Sequence, residues 1–228
     1  MILIDTDTER MPLVGDDYID TRDERWAMGD SAWYGAASEF AERTLGKGHG
    51  KRCLVIGSPV PEVKRLKKDG WHTLYVDVRE PDQGVGHWFI LDATALPSWD
   101  NTYDAVSSTC VVCHAGLGRY GDPIKPNGDV LMMREIFRVL KPGGLAAIML
   151  GPATPQMTQS VVYGNVHRIY EPDEAHAMCR DVGFEVVESQ LSINCGAEPM
   201  GAPEVEERIG EGVLVRYCYL SVLLRKPE

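Results

Sequence analysis

The feature that most restricts what this chain can fold into is a hydrophobic period that switches repeatedly along its length. Apolar runs at residues 53–56, 73–76, 88–91, 103–108 and 145–150 are too short for helices and end at turn residues or at Gly57, Asp77 and Asp92. Other segments carry apolar residues at three- and four-residue steps. Trp33, Ala37, Phe40, Ala41 and Leu45 form one such stripe, with Gly46 as its stop, and Val130, Met133, Phe137 and Leu140 form another. Residues 61–69 and 172–182 read as helices with Pro in the first turn and Gly70 or Gly183 just past the end. Continuous apolar strands alternating with amphipathic helices predict an α/β fold, a doubly wound and mostly parallel sheet covered on both faces. Two runs close together at the end, 184–189 and 213–224, predict a terminal antiparallel hairpin.

The polar stretch over residues 1–30 reads as an arm, and the helix after it as a lid or a packing helix. Residues 1–50 are thus expected to precede a single Rossmann-like domain at 51–228. The start of the sequence is acidic where a secretion signal would be basic and then apolar, so a cytoplasmic location is expected. A formal net charge of −11 repels phosphate backbones and anionic lipid, so neither nucleic acid nor membrane is an expected partner. A small-molecule substrate is expected instead, and a homodimer is the assembly to test for self-association.

Six cysteines in 228 residues do not make a disulfide framework. Cys110-Val-Val-Cys113-His114 matches the spacing of a redox pair and of a haem attachment site. Haem attachment requires an exported chain, and the redox motif opens a helix whereas this one closes a strand, so two buried thiols are expected. Asp122 and Asp129 are too little for a cation site, and no metal is expected.

In open sheets of this kind ligands sit beyond the carboxyl ends of the strands, where the strand order reverses. That selects Gly57, Asp77, Asp92 and the segment after Ser108. Three segments in order carry a family resemblance: Asp92-Ala-Thr-Ala-Leu-Pro97, Tyr103-Asp-Ala-Val106 and Arg138-Val-Leu-Lys-Pro-Gly-Gly144. Over residues 51–190 the chain resembles the class I, seven-stranded S-adenosylmethionine-dependent methyltransferases. A narrower resemblance lies in Gly116-Leu-Gly-Arg-Tyr-Gly-Asp-Pro123 and Tyr163-Gly-Asn-Val-His-Arg-Ile-Tyr170, with the Gly57-Ser-Pro-Val-Pro61 turn. Those elements are similar to an uncharacterised domain-of-unknown-function family related to the methyltransferases.

The resemblance implies S-adenosylmethionine as cofactor, held by Gly57, Ser58, Pro59, Asp77, Val78, Asp92, Ala93 and Thr109. Val55, Pro59 and Pro61 depart from the methyltransferase pattern, which has an acid and two more glycines at those places. Proline removes N–H donors, and a pyrophosphate needs several at a helix start, so the departure disfavours NAD and nucleoside triphosphates. It also leaves open a fold that has lost its cofactor.

Asp77 stands at a strand end about twenty residues after Gly57, where a carboxylate accepts both ribose hydroxyls. A solvated loop acid is the plain alternative. Asp92 with Ala93 would flank adenine, or Asp92 is a turn acid. His114 and His167 are the candidate bases for removing a proton from an acceptor, a task suited to a pKa near neutrality. Arg119, Tyr120, Asp122, Tyr163 and Arg168 are the candidate acceptor contacts, Arg supplying a planar donor fork. The bland alternative ties these loops to their own backbone. The expected activity is methylation of oxygen or nitrogen on a small polar metabolite, a sugar being one acceptor such loops suit. The alternatives are a cofactor-free binding module and an enzyme using S-adenosylmethionine for other chemistry.

Overall fold

The computed structural model describes residues 11, 13–14, 32–57, 60–81, 86–153, 157–193 and 218–228. Its elements in chain order are β1 (Leu13–Val14), α1 (Ala32–Leu45), β2 (Arg52–Ile56), α2 (Val60–Lys68), β3 (His72–Asp77), β4 (Trp88–Ile90) and β5 (Tyr103–Thr109). These are followed by α3 (Gly128–Val139), β6 (Leu140–Ala153), β7 (Val161–Tyr163), β8 (His167–Ile169), α4 (Pro172–Val182), β9 (Glu185–Ile193) and β10 (Cys218–Arg225).

Seven strands form one sheet in the order β4-β3-β2-β5-β6-β10-β9. The first five are mutually parallel, while β10 runs antiparallel to both β6 and β9. The expected doubly wound sheet and terminal antiparallel pair are therefore present. Strand order reverses between β2 and β5, which puts the switch point beside Gly57 and Cys110. Cys53, Leu54, Val55, Ile56, Ala105 and Val106 are all almost fully buried, as continuous apolar runs in a two-sided sheet require.

Each face has its own apolar layer. On one, Phe40, Ala41 and Leu45 of α1 pack with Val63 and Leu66 of α2 against Val55, Ala105 and Leu223. On the other, α3 and α4 cover Leu54, Val106, Ile148 and Val222. α4 shows how locally the sequence sets its ends. Pro172 stands in its first turn, the Glu171 carboxylate accepts from the N–H of Glu174, and Gly183 closes it with φ +116°. Among the described residues no helix is long and apolar enough to cross a membrane.

The structure refines three expectations. Of the expected α3 stripe, Met133 and Leu140 are fully buried and Val130 and Phe137 pack half-buried against the same core, to which Met132, Ile136 and Val139 also belong. Phe137 meets Phe184 edge-to-face, 5.0 Å between ring centres. The stretch after the fifth strand is not a plain loop: β7 and β8 form an antiparallel pair, joined by β1 parallel to β7. Three-residue strands carry too little pattern to be read from periodicity. Finally, of the two expectations for α1, the described part fits the packing helix. It packs on β5, β6, β10 and α2. Residues 15–31, and the side chains of Trp33 and Tyr34, lie outside the described residues.

Candidate functional site

A cleft opens along the carboxyl edge of the large sheet at the switch point. Its floor is built from strand ends: Ile56 and Gly57 after β2, Asp77 to Arg79 after β3, Leu91 and Ala93 after β4, and Thr109 to Val111 after β5. Pro152 of β6 and Tyr219 of β10 close one end, and His114, Arg119, Tyr120, Val166 and His167 form the outer wall. The floor is mostly backbone and small side chains because the strands stop there. Gly57 shows why: its φ is +58°, and a Cβ would lie 2.4 Å from Val111 Cγ2.

Asp77, the last residue of β3, lines this cleft. One oxygen of its carboxylate accepts from the Arg79 backbone N–H (3.0 Å) and the other from the Tyr75 hydroxyl (3.1 Å). Burial pushes its carboxyl above the ordinary range, against the hydrogen bonds and the Arg79 cation. Arg79 itself reaches across the cleft, its guanidinium 4.3 Å from the centre of the Tyr120 ring. The Tyr120 ring also meets His114 edge-on at 5.3 Å.

The 114–122 and 163–170 segments meet over the cleft. His114 Nδ1 lies 2.7 Å from the Val166 carbonyl oxygen, and Arg119 Nη1 donates to that same oxygen at 3.1 Å. The Arg168 N–H donates to the Cys113 carbonyl at 2.8 Å, and the rings of His114 and His167 stand 6.0 Å apart. A carbonyl only accepts, so His114 carries its proton on Nδ1 and keeps a lone pair on Nε2. Burial sets both imidazoles far from neutrality. His114 falls well below the usual range through burial, then His167 and Arg119, and His167 is pushed down to about 3 by burial and Arg119. Both rings are thus held in the neutral form by burial.

Several candidates sit elsewhere. The Asp92 carboxylate is taken by the Thr94 N–H (2.9 Å), the Thr94 hydroxyl (2.7 Å) and Lys125 Nζ (2.9 Å), which makes it a turn acid. Burial opposes this arrangement, but Lys125 and Thr94 hold its carboxyl below the ordinary value. Asp122 accepts from the N–H groups of Gly116, Gly118 and Tyr120 and so shapes its own loop. Arg168 is fully buried: its guanidinium donates to the carbonyls of Ala115 (2.7 Å) and Pro126 (3.0 Å) and lies 3.5 Å from Asp129. Tyr163 is buried in β7, its ring 6.2 Å from His167, and is not among the cleft's lining side chains. Ser58 and Pro59 lie outside the described residues.

Other cleft residues were not foreseen. Arg79 had a signal, being two residues beyond a strand-end acid, but Pro152, Val166 and Tyr219 are brought in by tertiary packing alone. Glu62 was also missed. It is buried in the first turn of α2, where its carboxylate accepts from the hydroxyls of Ser107 and, at 2.6 Å, Thr109. A carboxylate there is favoured by the helix N-terminus, and it fixes the rotamer of Thr109 at the cleft.

The family model described as "Caenorhabditis protein of unknown function, DUF268" matches residues 50–195. No curated protein matches the chain. Among solved structures, 1,6-didemethyltoxoflavin-N1-methyltransferase from Burkholderia thailandensis, bound to 1,6-didemethyltoxoflavin and S-adenosylhomocysteine, is 18% identical with a TM-score of 0.64. That match covers 91% of this chain and 84% of the other. The 4+2 cyclase SpnF is 20% identical with a TM-score of 0.62, covering 96% of this chain and 89% of that one. An S-adenosylmethionine-dependent methyltransferase from Mesorhizobium loti is 14% identical with a TM-score of 0.56, covering 84% and 99%. At these identities the likeness is one of fold, the Rossmann-like sheet of class I methyltransferases.

Proposed function

The chain belongs to the DUF268 family, and from its cleft we propose that it is an S-adenosylmethionine-dependent methyltransferase acting on a small polar molecule. One observation carries this reading: a cleft at the switch point of a methyltransferase-type sheet, lined by Asp77 at the end of β3. In the proposed complex Asp77 accepts the ribose hydroxyls and Leu91 and Ala93 wall the adenine. Gly57 lets the cofactor approach the backbone of β2. Val78 and Thr109 complete the cofactor side. Neighbours of the same fold bind S-adenosylhomocysteine or are described as dependent on S-adenosylmethionine, which supports the cofactor.

The acceptor then lies against His114, Arg119, Tyr120 and His167. Two neutral imidazoles and one guanidinium offer hydrogen bonds to hydroxyl, carbonyl or amine groups without demanding a charge on the acceptor. Methyl transfer is an in-line displacement, and holding the acceptor atom close to the methyl and opposite the sulfur supplies much of the acceleration. With both rings weakly basic, positioning rather than proton abstraction is the main contribution of this wall. A sugar remains one acceptor compatible with it.

A second reading, a reaction on this fold other than methylation, is favoured by the weak basicity of both rings and by the cyclase among the neighbours. Calorimetry with adenosylhomocysteine and NAD side by side tests the common premise. Binding of adenosylhomocysteine alone is the expected result; no binding would sink both enzyme readings in favour of a cofactor-free module, and equal binding of NAD would sink the cofactor assignment. Methylation of an added acceptor then separates the two enzymes.

A further inference from the structure

We propose that Cys110, Cys113 and His114 form a three-ligand site for a divalent ion of the zinc class, with the fourth coordination position open to the cleft. One ligand atom from each residue lies within 4.8 Å of the other two. The two sulfurs are 3.7 Å apart. A tetrahedral ion with metal–sulfur bonds of about 2.3 Å sets its two sulfurs about 3.8 Å apart. The thiols therefore already stand at the edge length of such a site, whereas a disulfide would require them to close to about 2.05 Å.

The third ligand is oriented in the way metal-bound imidazoles are. A ligating histidine donates its other ring N–H to a carbonyl or carboxylate, which fixes tautomer and ring plane. His114 does this with Nδ1 toward the Val166 carbonyl at 2.7 Å, leaving the Nε2 lone pair to ligate. Backbone hydrogen bonds hold the segment in place. The N–H of Cys110 donates to Met149, that of Cys113 to Leu150 and that of His114 to Val111, while the Cys113 carbonyl accepts from Arg168. Cys110 is held at φ +58°, a left-handed conformation that strains a side-chain-bearing residue and concentrates at functional sites.

Charge and access both agree with an ion of this class. Thiolate and imidazole donors suit zinc rather than magnesium or calcium. Two thiolates and a neutral imidazole cancel a double positive charge, so the filled site adds no net charge to a buried region. Each ion taken up must release two thiol protons to solvent. Cys110 and His114 line the cleft and Cys113 is buried behind them, so the three ligands leave the cleft side open. Three protein ligands with one open position is the arrangement of catalytic rather than structural zinc.

What the fourth position does rests on the methyltransferase reading. An acceptor hydroxyl bound there would lose its proton to solvent more readily, because the ion stabilises the alkoxide. The oxygen lone pair then forms the bond to the methyl carbon, while the carbon–sulfur bond breaks and its electron pair stays on sulfur.

The test uses the full chain, reduced, stripped by chelation and titrated with Co²⁺ and then Zn²⁺. One Co²⁺ per chain is expected, with a thiolate-to-cobalt charge-transfer band, the intense visible bands of a four-coordinate ion, release of two protons, and displacement by Zn²⁺. Cys110→Ser, Cys113→Ala and His114→Ala should each weaken binding at least about tenfold, while Cys179→Ala leaves it unchanged. Circular dichroism shows whether each variant is folded, and Cys110→Ser, at the more accessible sulfur, decides the matter if Cys113→Ala is not. Absence of the charge-transfer band, or a folded Cys110→Ser that binds Co²⁺ as tightly as wild type with an undiminished band, would overturn the site. Calorimetry of the stripped protein with adenosylhomocysteine keeps the two ideas apart. Binding of adenosylhomocysteine without metal uptake overturns the site and leaves the methyltransferase reading standing. Metal uptake without adenosylhomocysteine binding supports the site and removes that reading.

Discussion

The guanidinium of Arg79 lies 4.3 Å from the centre of the Tyr120 ring, joining the end of β3 to the loop that follows β5 across the mouth of the cleft. Both side chains are largely buried, and Arg79 also sits 3.9 Å from the Asp77 carboxylate. A cation over an aromatic face is worth about 0.5–2 kcal/mol, more when desolvated. A double-mutant cycle with Arg79→Ala and Tyr120→Ala in urea unfolding should therefore show a coupling of about 0.5–2 kcal/mol. Additive effects of the two substitutions would mean that the contact contributes nothing and that the cleft walls are independent.

Asp77 carries the cofactor assignment, and its environment gives that assignment a pH signature. Burial raises its folded-state carboxyl above the ordinary 3.8. When the pH falls through that raised value the carboxylate takes up a proton and loses its capacity to accept both ribose hydroxyls. Adenosylhomocysteine affinity should then weaken on acidification sooner than an unshifted carboxylate would allow, and Asp77→Asn should flatten that dependence. At neutral pH, Asp77→Ala should weaken binding by about 1–3 kcal/mol, the loss expected for hydrogen bonds to a charged group. Stability runs the other way. A raised folded pKa means that the native state holds this proton more tightly, so the group's own contribution is full below 3.8 and is lost as pH rises through the raised value. Calorimetry and urea unfolding over the acid range, on wild type and Asp77→Asn, read both signs.

The parallel half of the sheet was legible because β2 carries an apolar run that stops at Gly57 and β3 one that stops at Asp77, while Ser107, Ser108 and Thr109 interrupt the pattern in β5. Gly57 and Asp77 were legible for the same reason, since a strand end in an open sheet is where ligands lie. The outer wall was only half legible. That residues 114–122 and 163–170 converge followed from both segments leaving the same sheet edge. Which of their side chains face the cleft did not follow, because the β7–β8 turn decides it: it carries His167 to the cleft and sends Arg168 into the core. Tyr219 reaches the cleft only because β10 runs antiparallel, which no local pattern around it announces.

Arg168 illustrates the cost of that reversal. Its charge is fully buried against Asp129 and two carbonyls, and it ties the β7–β8 turn to the segment between β5 and α3. Removing one partner from a buried ion pair leaves the other uncompensated, typically a loss of 3–5 kcal/mol, so about that destabilisation is expected for Arg168→Ala in urea unfolding. Arg168→Lys should recover little, since a single ammonium cannot serve Ala115 and Pro126 in the fork geometry of a guanidinium. A variant of wild-type stability with a raised acceptor KM would instead return Arg168 to the acceptor wall.

Gly57 is the last residue whose replacement separates shape from chemistry. At φ +58° any side chain costs about 1–2 kcal/mol in backbone strain. The new Cβ would also lie 2.4 Å from Val111 Cγ2, so Val111 must move, and Val111 forms the cleft floor where β5 ends. Gly57→Ala should thus lower stability by at least the strain and weaken adenosylhomocysteine binding through the displaced floor. The two contributions are separable. Adding Val111→Ala to Gly57→Ala removes the atoms in conflict but not the positive φ, so binding should recover more than stability does. If the double variant binds no better than Gly57→Ala alone, the clash with Val111 is not what limits the cofactor's approach, and the backbone conformation of the β2 turn itself becomes the determinant.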